Sequence, residues 1–231
     1  MMIRQIPLGM WLREGVTFEN FAGDANRQLL TALHDPHEHF VFLWGAHGLG
    51  KSHLLQAACH AATAHGERSV YLPLAEAGQF APAILDGLEQ MALVAIDDLD
   101  TVTGEREWET ALFHLYNRIR DGGGCRLLVA ARRPLTLLGL VLPDLRSRLG
   151  WGLVYQMQPL SDKDKLLALQ QRARRRGFDL SDEVGDYLMR HYPRDTGRLF
   201  RLLDDLDQRS LAEQRRLTIP FVKQVIESEQ E

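Results

Sequence analysis

The sequence predicts an α/β fold: a five-stranded, mostly parallel sheet covered on both faces by helices, followed by a smaller all-helical domain. Three observations carry this expectation. Short apolar segments alternate with helix-patterned stretches as far as about residue 158, and strands of that kind belong to buried parallel sheets. The octet Gly45-Ala46-His47-Gly48-Leu49-Gly50-Lys51-Ser52 lies between the first of these segments and an Ala/Leu-rich helix. After Pro159 the strand signal ends and only helix signals remain.

Taken in order, residues 1–15 carry no helical or strand period and are interrupted by Pro7 and Gly9, so they read as a tail. Thr17-Phe18-Glu19-Asn20-Phe21 leads into a helix with Asp24 as N-cap and Leu33 near its end. Phe40–Trp44 is the first strand, and Val70–Leu74 is the second, with Pro73 marking its exit from the sheet. Leu93–Asp98 is the third, ending in two acids, Arg126–Ala131 the fourth and Leu153–Met157 the fifth. Between the third and fourth, Trp108, Ala111, Leu112, Leu115 and Ile119 recur at three- and four-residue intervals, giving an amphipathic helix that stops at Gly122-Gly123-Gly124. Ser161 with Asp164 reads as a capping box for a helix ending at Gly177, and Ser181 opens a second helix. A third begins near Thr196 and carries Leu199, Leu202, Leu203 and Leu206; Thr218-Ile219-Pro220 opens a short fourth. The expected domains are therefore 1–15, a tail; 16–158, an αβα domain; and 159–231, a small helical domain.

The chain has 231 residues, 45% of them apolar, with a net charge of −4 and a pI near 6.1. That balance argues against a protein whose main task is to grip nucleic acid. No apolar run has the length of a membrane span or the form of a signal peptide, so a cytoplasmic location is expected. Cys59 and Cys125 stand apart with no metal or redox spacing and read as small buried hydrophobes. His34, His37 and His39 surround Pro36 in what reads as a polar loop rather than a zinc site.

The octet is a phosphate-binding loop in the context that such a loop requires. Its glycines let backbone N–H groups turn toward a phosphate chain, Lys51 reaches the β- and γ-phosphates, and Ser52 offers a hydroxyl to Mg²⁺. The N-terminus of the following helix adds its positive dipole. A metal-binding acid is then expected at the end of a buried strand. Asp97 fits that place, with Asp98 set to orient or deprotonate water. Two acids at a strand end also suit a helix N-cap, an alternative that stands for Asp98 above all. Arg172-Ala173-Arg174-Arg175-Arg176 reads as a helix C-terminus offsetting the dipole, with contact to DNA or a partner as the alternative.

Together these pieces resemble the AAA+ ATPases of the DnaA initiator branch. Asp144-Leu145-Arg146-Ser147-Arg148-Leu149-Gly150-Trp151-Gly152 is similar to the initiator motif that carries an arginine finger. The resemblance implies that Arg148 projects into a nucleotide on a neighbouring subunit. It covers residues from about 17 onward, whereas initiators have a separate N-terminal domain and continue into a helix-turn-helix DNA-binding domain. The expectation is therefore a regulator that acts on the initiator. Gln5-Ile6-Pro7-Leu8 looks like the Gln-x-x-Leu peptide that docks into the bacterial replicative sliding clamp, the beta subunit of DNA polymerase III. The usual bulky residue after it is replaced by Gly9-Met10.

Two departures from the initiator pattern stand out. Arg132 lies where a polar residue senses the γ-phosphate, and the lid's sensor arginine falls at Gly197, with Arg198 beside it. Arg198 either substitutes from the adjacent position or faces solvent. Both departures favour a nucleotide held as a ligand, ADP or ATP with Mg²⁺, and an activator of a partner's ATPase rather than a fast ATPase. The implied function is a regulator that, on DNA-loaded clamp, stimulates ATP hydrolysis by DnaA and prevents re-initiation, associating with the nucleoid through the clamp. Homodimer formation through Met10, Trp11 and Leu12 and a weak or indirect DNA contact stay open. The alternative function is an AAA+ ATPase switch such as a helicase loader.

Overall fold

The computed structural model describes residues 12, 15–21, 24–213 and 215–228, so the clamp-peptide residues Gln5, Ile6, Pro7 and Leu8 lie outside the described residues. The strands are β1 (Phe40–Trp44), β2 (Ser69–Pro73), β3 (Leu93–Asp97), β4 (Arg126–Ala131) and β5 (Leu153–Gln156). They form one parallel sheet in the order β2-β3-β4-β1-β5. Pro73 pairs with Asp97 at the last position of the β2–β3 ladder, where a missing N–H does least harm.

Alternation of side chains along the strands divides the core into two faces. On one face Phe42, Val70, Leu72, Val94, Ile96, Leu127 and Val129 pack with Trp108, Leu112, Leu115 and Ile119 of the helix α3 (Arg106–Gly122). Each fully buried leucine of this kind stabilises the fold by about 2 kcal/mol. The sheet's α2 (Lys51–Ala64) buries Leu54, Leu55, Ala57, Ala58 and Cys59. The preceding helix α1 (Arg27–His34) is shorter than expected. Asp24–Asn26 is a 3₁₀ turn, and Asn26 stands at the N-cap position without capping. Its wholly buried side chain instead exchanges two hydrogen bonds with the Gln158 backbone, at 2.8 and 3.0 Å. Arg126 reaches the C-terminal end of α1, donating to Leu33 O at 3.0 Å, and also donates to Glu38 O, beyond the helix, at 3.2 Å.

The described residues of 159–228 fall, together with 19–21, 24–25 and 47–49, in a second compact unit. Its helices are α5 (Asp162–Arg175), α6 (Asp182–His191), α7 (Thr196–Glu213) and α8 (Ile219–Ser228); a short α4 (Pro143–Leu149) precedes β5 in the first unit. Leu169, Leu188, Leu199, Leu202, Leu203, Leu206, Phe221 and Val225 make this unit's own core. Ser181 caps α6 through Val184 N. The Ser161–Asp164 pair differs from a capping box: Ser161 accepts from Asp164 N, but the Asp164 carboxylate takes the Ser161 hydroxyl rather than its N–H. Among the described residues no helix is long and apolar enough to cross a membrane.

Both cysteines are buried and free. Burial pushes Cys59 and Cys125 up to about 12, with the Glu89 charge adding to the effect at Cys125. The thiolate is the reactive form. Neither thiol is therefore expected to react with iodoacetamide at about pH 8 in the native protein, and both should be alkylated once guanidinium unfolds it; mass spectrometry reads the difference.

Candidate functional site

The loop joining β1 to α2 begins at buried Gly45, whose N–H donates to Ala131 O. Gly48 (φ 81°) and Gly50 (φ 91°) adopt the left-handed conformation, which lets the chain turn inward and enter α2 directly. Gly50 occupies the N-cap position and, having no side chain, leaves the first-turn N–H groups without an N-cap side-chain acceptor. Ala46 and His47 are exposed, with Leu49 half-buried beside them. Lys51 is only 7% exposed, and its ammonium donates to Gly45 O and Ala46 O, each at 2.8 Å. Burial lowers its pKa, against the opposing pull of Asp97, Asp98 and Asp100, while Arg132 acts in the same direction as burial.

Asp97 ends β3 and is 1% exposed. One carboxylate oxygen accepts from the Tyr71 hydroxyl at 2.8 Å, and the other from Asp98 N at 2.8 Å. Burial, then Asp97, raises the Tyr71 pKa well above the ordinary phenol value. The Gln56 and Ser52 side chains act on the hydroxyl in the opposite direction to burial, favouring its ionised form, which sets the loop's serine near the acid of the sheet. The Asp97 carboxylate and Ser52 hydroxyl are hard oxygen donors of the kind Mg²⁺ takes, and each Asp97 oxygen keeps a lone pair beyond its present bond. Tyr71 escaped sequence reasoning. Its signal was a phenol on the strand face opposite Val70 and Leu72, where a buried hydroxyl needs a polar partner.

Asp98 is the one non-glycine with positive φ among the described residues, at φ 52° and ψ 45°. It occupies the N-cap position of the 3₁₀ turn Leu99–Val102 without making a side-chain cap bond, which removes the capping alternative for its carboxylate. Instead, Asp98 Oδ1 lies 3.5 Å from a terminal nitrogen of Arg132, and Arg132 N donates to Asp100. Burial and the Asp97 charge push the Asp98 carboxyl up, while Arg132 and Lys51 pull it down.

Arg148 stands in the last turn of α4. Its guanidinium lies 4.0 Å from the centre of the Trp151 ring, and Trp151 is 63% exposed. Arg148 Nη1 is buried and has no hydrogen-bond partner among the described residues. The Gly150-Trp151-Gly152 turn packs closely, since a Cβ on Gly152 would collide with Phe40 O. The segment entering α4 is fixed by Glu109 of α3, which is wholly buried and accepts from Gly104 N, Val141 N and Leu142 N.

In the helical unit, Arg198 is exposed in the first turn of α7, its N–H donating to the Asp195 side chain at 2.8 Å. The arginine run is divided. Arg172 forms a two-point pair with Asp204, Arg176 pairs with Asp204 and Asp207, and Arg174 lies 4.0 Å from Asp179 with both side chains largely exposed. Arg172 and Arg176 thus join α5 to α7.

Residues 12–156 match the bacterial DnaA ATPase domain, and residues 162–226 match the lid domain of Hda. Domain III of the Thermotoga maritima initiator DnaA superposes with a TM-score of 0.80 at 21% identity, over 94% of this chain and 98% of that one. DnaA from Aquifex aeolicus, bound to AMPPCP, gives 0.70 at 24% identity, over 87% of this chain and 66% of its own. The Holliday junction branch migration motor RuvB of Thermotoga maritima gives 0.70 at 16% identity, over 92% of this chain and 71% of that one. At these identities the likeness is one of fold, the AAA+ α/β core with a helical lid. With a DnaA-type ATPase domain followed by an Hda-type lid, the chain belongs to the DnaA-related AAA+ proteins of the Hda kind.

Proposed function

We propose that this chain is a regulator of replication initiation that acts on DnaA. Bound to DNA-loaded sliding clamp through Gln5, Ile6, Pro7 and Leu8, it docks on ATP-bound initiator and presents Arg148 to the initiator's nucleotide. Hydrolysis then leaves the ADP form and prevents re-initiation. The observation that carries this reading is the state of Arg148: a guanidinium supported on an exposed indole, with one nitrogen that has no acceptor among the described residues. A planar, permanently charged fork held in that way suits a phosphate being transferred.

The chain's own site holds ADP or ATP. Gly45 to Gly50 wrap the phosphates with backbone N–H groups, Lys51 contacts them, and Ser52 and Asp97 hold Mg²⁺, which when bound neutralises phosphate charge. Asp98 is the group placed to take a proton from water, and Arg198 is the lid cation assigned to the nucleotide.

The test is hydrolysis of initiator-bound ATP with DNA-loaded clamp, with and without this protein. Stimulation that needs both clamp and protein supports the reading, and its absence overturns it. Gln5→Ala with Leu8→Ala is expected to weaken clamp binding at least tenfold by surface plasmon resonance, because burying the leucine contributes about 2 kcal/mol. Unchanged binding would remove the tail assignment. A second reading, an ATPase switch such as a helicase loader, is favoured by the complete phosphate loop and acid pair; rapid turnover by the chain alone, lost in Asp98→Asn, would establish it.

A further inference from the structure

We propose that Arg132 is a positioning residue that restrains this chain's own hydrolytic site by holding the Asp98 carboxylate in an ion pair. The inference rests on the reading of 45–52, Asp97 and Asp98 as a nucleotide site. Arg132 follows β4 directly, and β4 lies beside β3, with Ile96 opposite Val129, so the residue after one strand meets the loop after the other. The contact has two points. Arg132 N donates to Asp100, and the guanidinium faces Asp98 Oδ1 at 3.5 Å.

Asp98 is held on its other sides too. Its N–H donates to Asp97 Oδ1 at 2.8 Å, and its carbonyl accepts from the Thr101 hydroxyl at 2.8 Å and from Thr101 N at 3.0 Å. These bonds maintain a backbone conformation that an aspartate adopts only when its surroundings impose it. The carboxylate direction is therefore set by the protein, and the cation it meets is Arg132.

Hydrolysis requires a carboxylate oxygen free to take a proton from water while the water oxygen bonds to the terminal phosphorus and the bridging oxygen leaves with ADP. A guanidinium on that carboxylate occupies a lone pair and weakens it as an acceptor of the proton. The pair is reversible rather than a permanent block, because Arg132 is 51% exposed and Asp98 24%. Nucleotide is thus retained with little turnover, as suits a protein whose work is done on a partner's nucleotide.

The test uses the full chain without partners. Steady-state Mg·ATP turnover and the affinity for a fluorescent ADP analogue are measured for wild type, Arg132→Ala, Arg132→Lys, Asp98→Asn and the Arg132→Ala/Asp98→Asn double variant. Arg132→Ala is expected to raise turnover roughly three- to fivefold, the range that a part-exposed pair supplies, without changing ADP affinity. Arg132→Lys should stay near wild type, and the gain should vanish in the double variant. In nucleotide-free protein, the Arg132 side-chain N–H resonance should move on Asp98→Asn. A fall in turnover with Arg132→Ala, no change in it, or an unmoved resonance overturns the proposal. Failure of wild type to bind the ADP analogue is a different result, which removes the nucleotide-site reading itself.

Discussion

Arg148→Ala is expected to leave this chain folded while removing its stimulation of the initiator's ATP hydrolysis. What the substitution deletes within the chain is small. The guanidinium stacks on Trp151, worth about 0.5–1 kcal/mol at an exposed indole, and among the described residues its buried Nη1 has no acceptor that its loss would leave unpaired. What it deletes in trans is large, since an arginine supplied to a partner's phosphoryl-transfer site contributes roughly three to five orders of magnitude in rate. Stimulation should therefore fall below detection in a single-turnover assay of initiator-bound ATP with DNA-loaded clamp. Arg148→Lys should not restore it, because an ammonium lacks both the planar fork and the stacking surface. Trp151→Ala should give an intermediate loss, since the guanidinium remains but its support is gone. Wild-type stimulation by Arg148→Ala would remove the finger assignment, and a parallel fall in thermal midpoint would reassign Arg148 to the fold.

The sheet and the phosphate loop were legible in the sequence because their signals are local. β1, β3 and β4 are continuous apolar runs, and the loop's octet is contiguous with the strand before it and the helix after it. The site's side-chain partners were less legible, because they depend on which strands are neighbours. Tyr71 reaches Asp97 only because β2 borders β3, and Arg132 reaches Asp98 only because β4 borders β3 on the other side. The departure at Arg132 was visible in sequence, but the carboxylate it meets was not. The arginine run shows the same division. Its position at the end of α5 was readable, whereas its pairing with Asp204 and Asp207 belongs to the packing of α5 against α7. The start of α1 was misread: Asp24 was expected to cap it, but 24–26 form a 3₁₀ turn, and Asn26, the residue at the N-cap position, binds Gln158 instead of capping.

Glu109→Ala should lower the stability of the sheet-bearing unit by about 3–5 kcal/mol, the cost of leaving a buried polar cluster without its central partner. Sequence reading placed Glu109 within the amphipathic helix α3 and gave it no further role. In the structure it is wholly buried, and its two oxygens accept from Gly104 N at 2.8 Å, Val141 N at 3.1 Å and Leu142 N at 2.7 Å. Two separate segments are thereby tied to one helix, and the second of them leads directly into α4. Alanine leaves three N–H groups without this acceptor. Glutamine keeps one oxygen but turns an amide N–H₂ toward a donor, so Glu109→Gln should fall between, losing about 2 kcal/mol. Urea unfolding measures both, with an unchanged slope marking a loss of stability rather than a change in the unfolded chain. Because the Glu109 bonds set the start of the helix that carries Arg148 in its last turn, the variants should also lose stimulation of the initiator under conditions in which they remain folded. A midpoint within about 1 kcal/mol of wild type for the alanine variant would show that water replaces the carboxylate at this site and that α4 is positioned by its leucines, Leu145 and Leu149, alone.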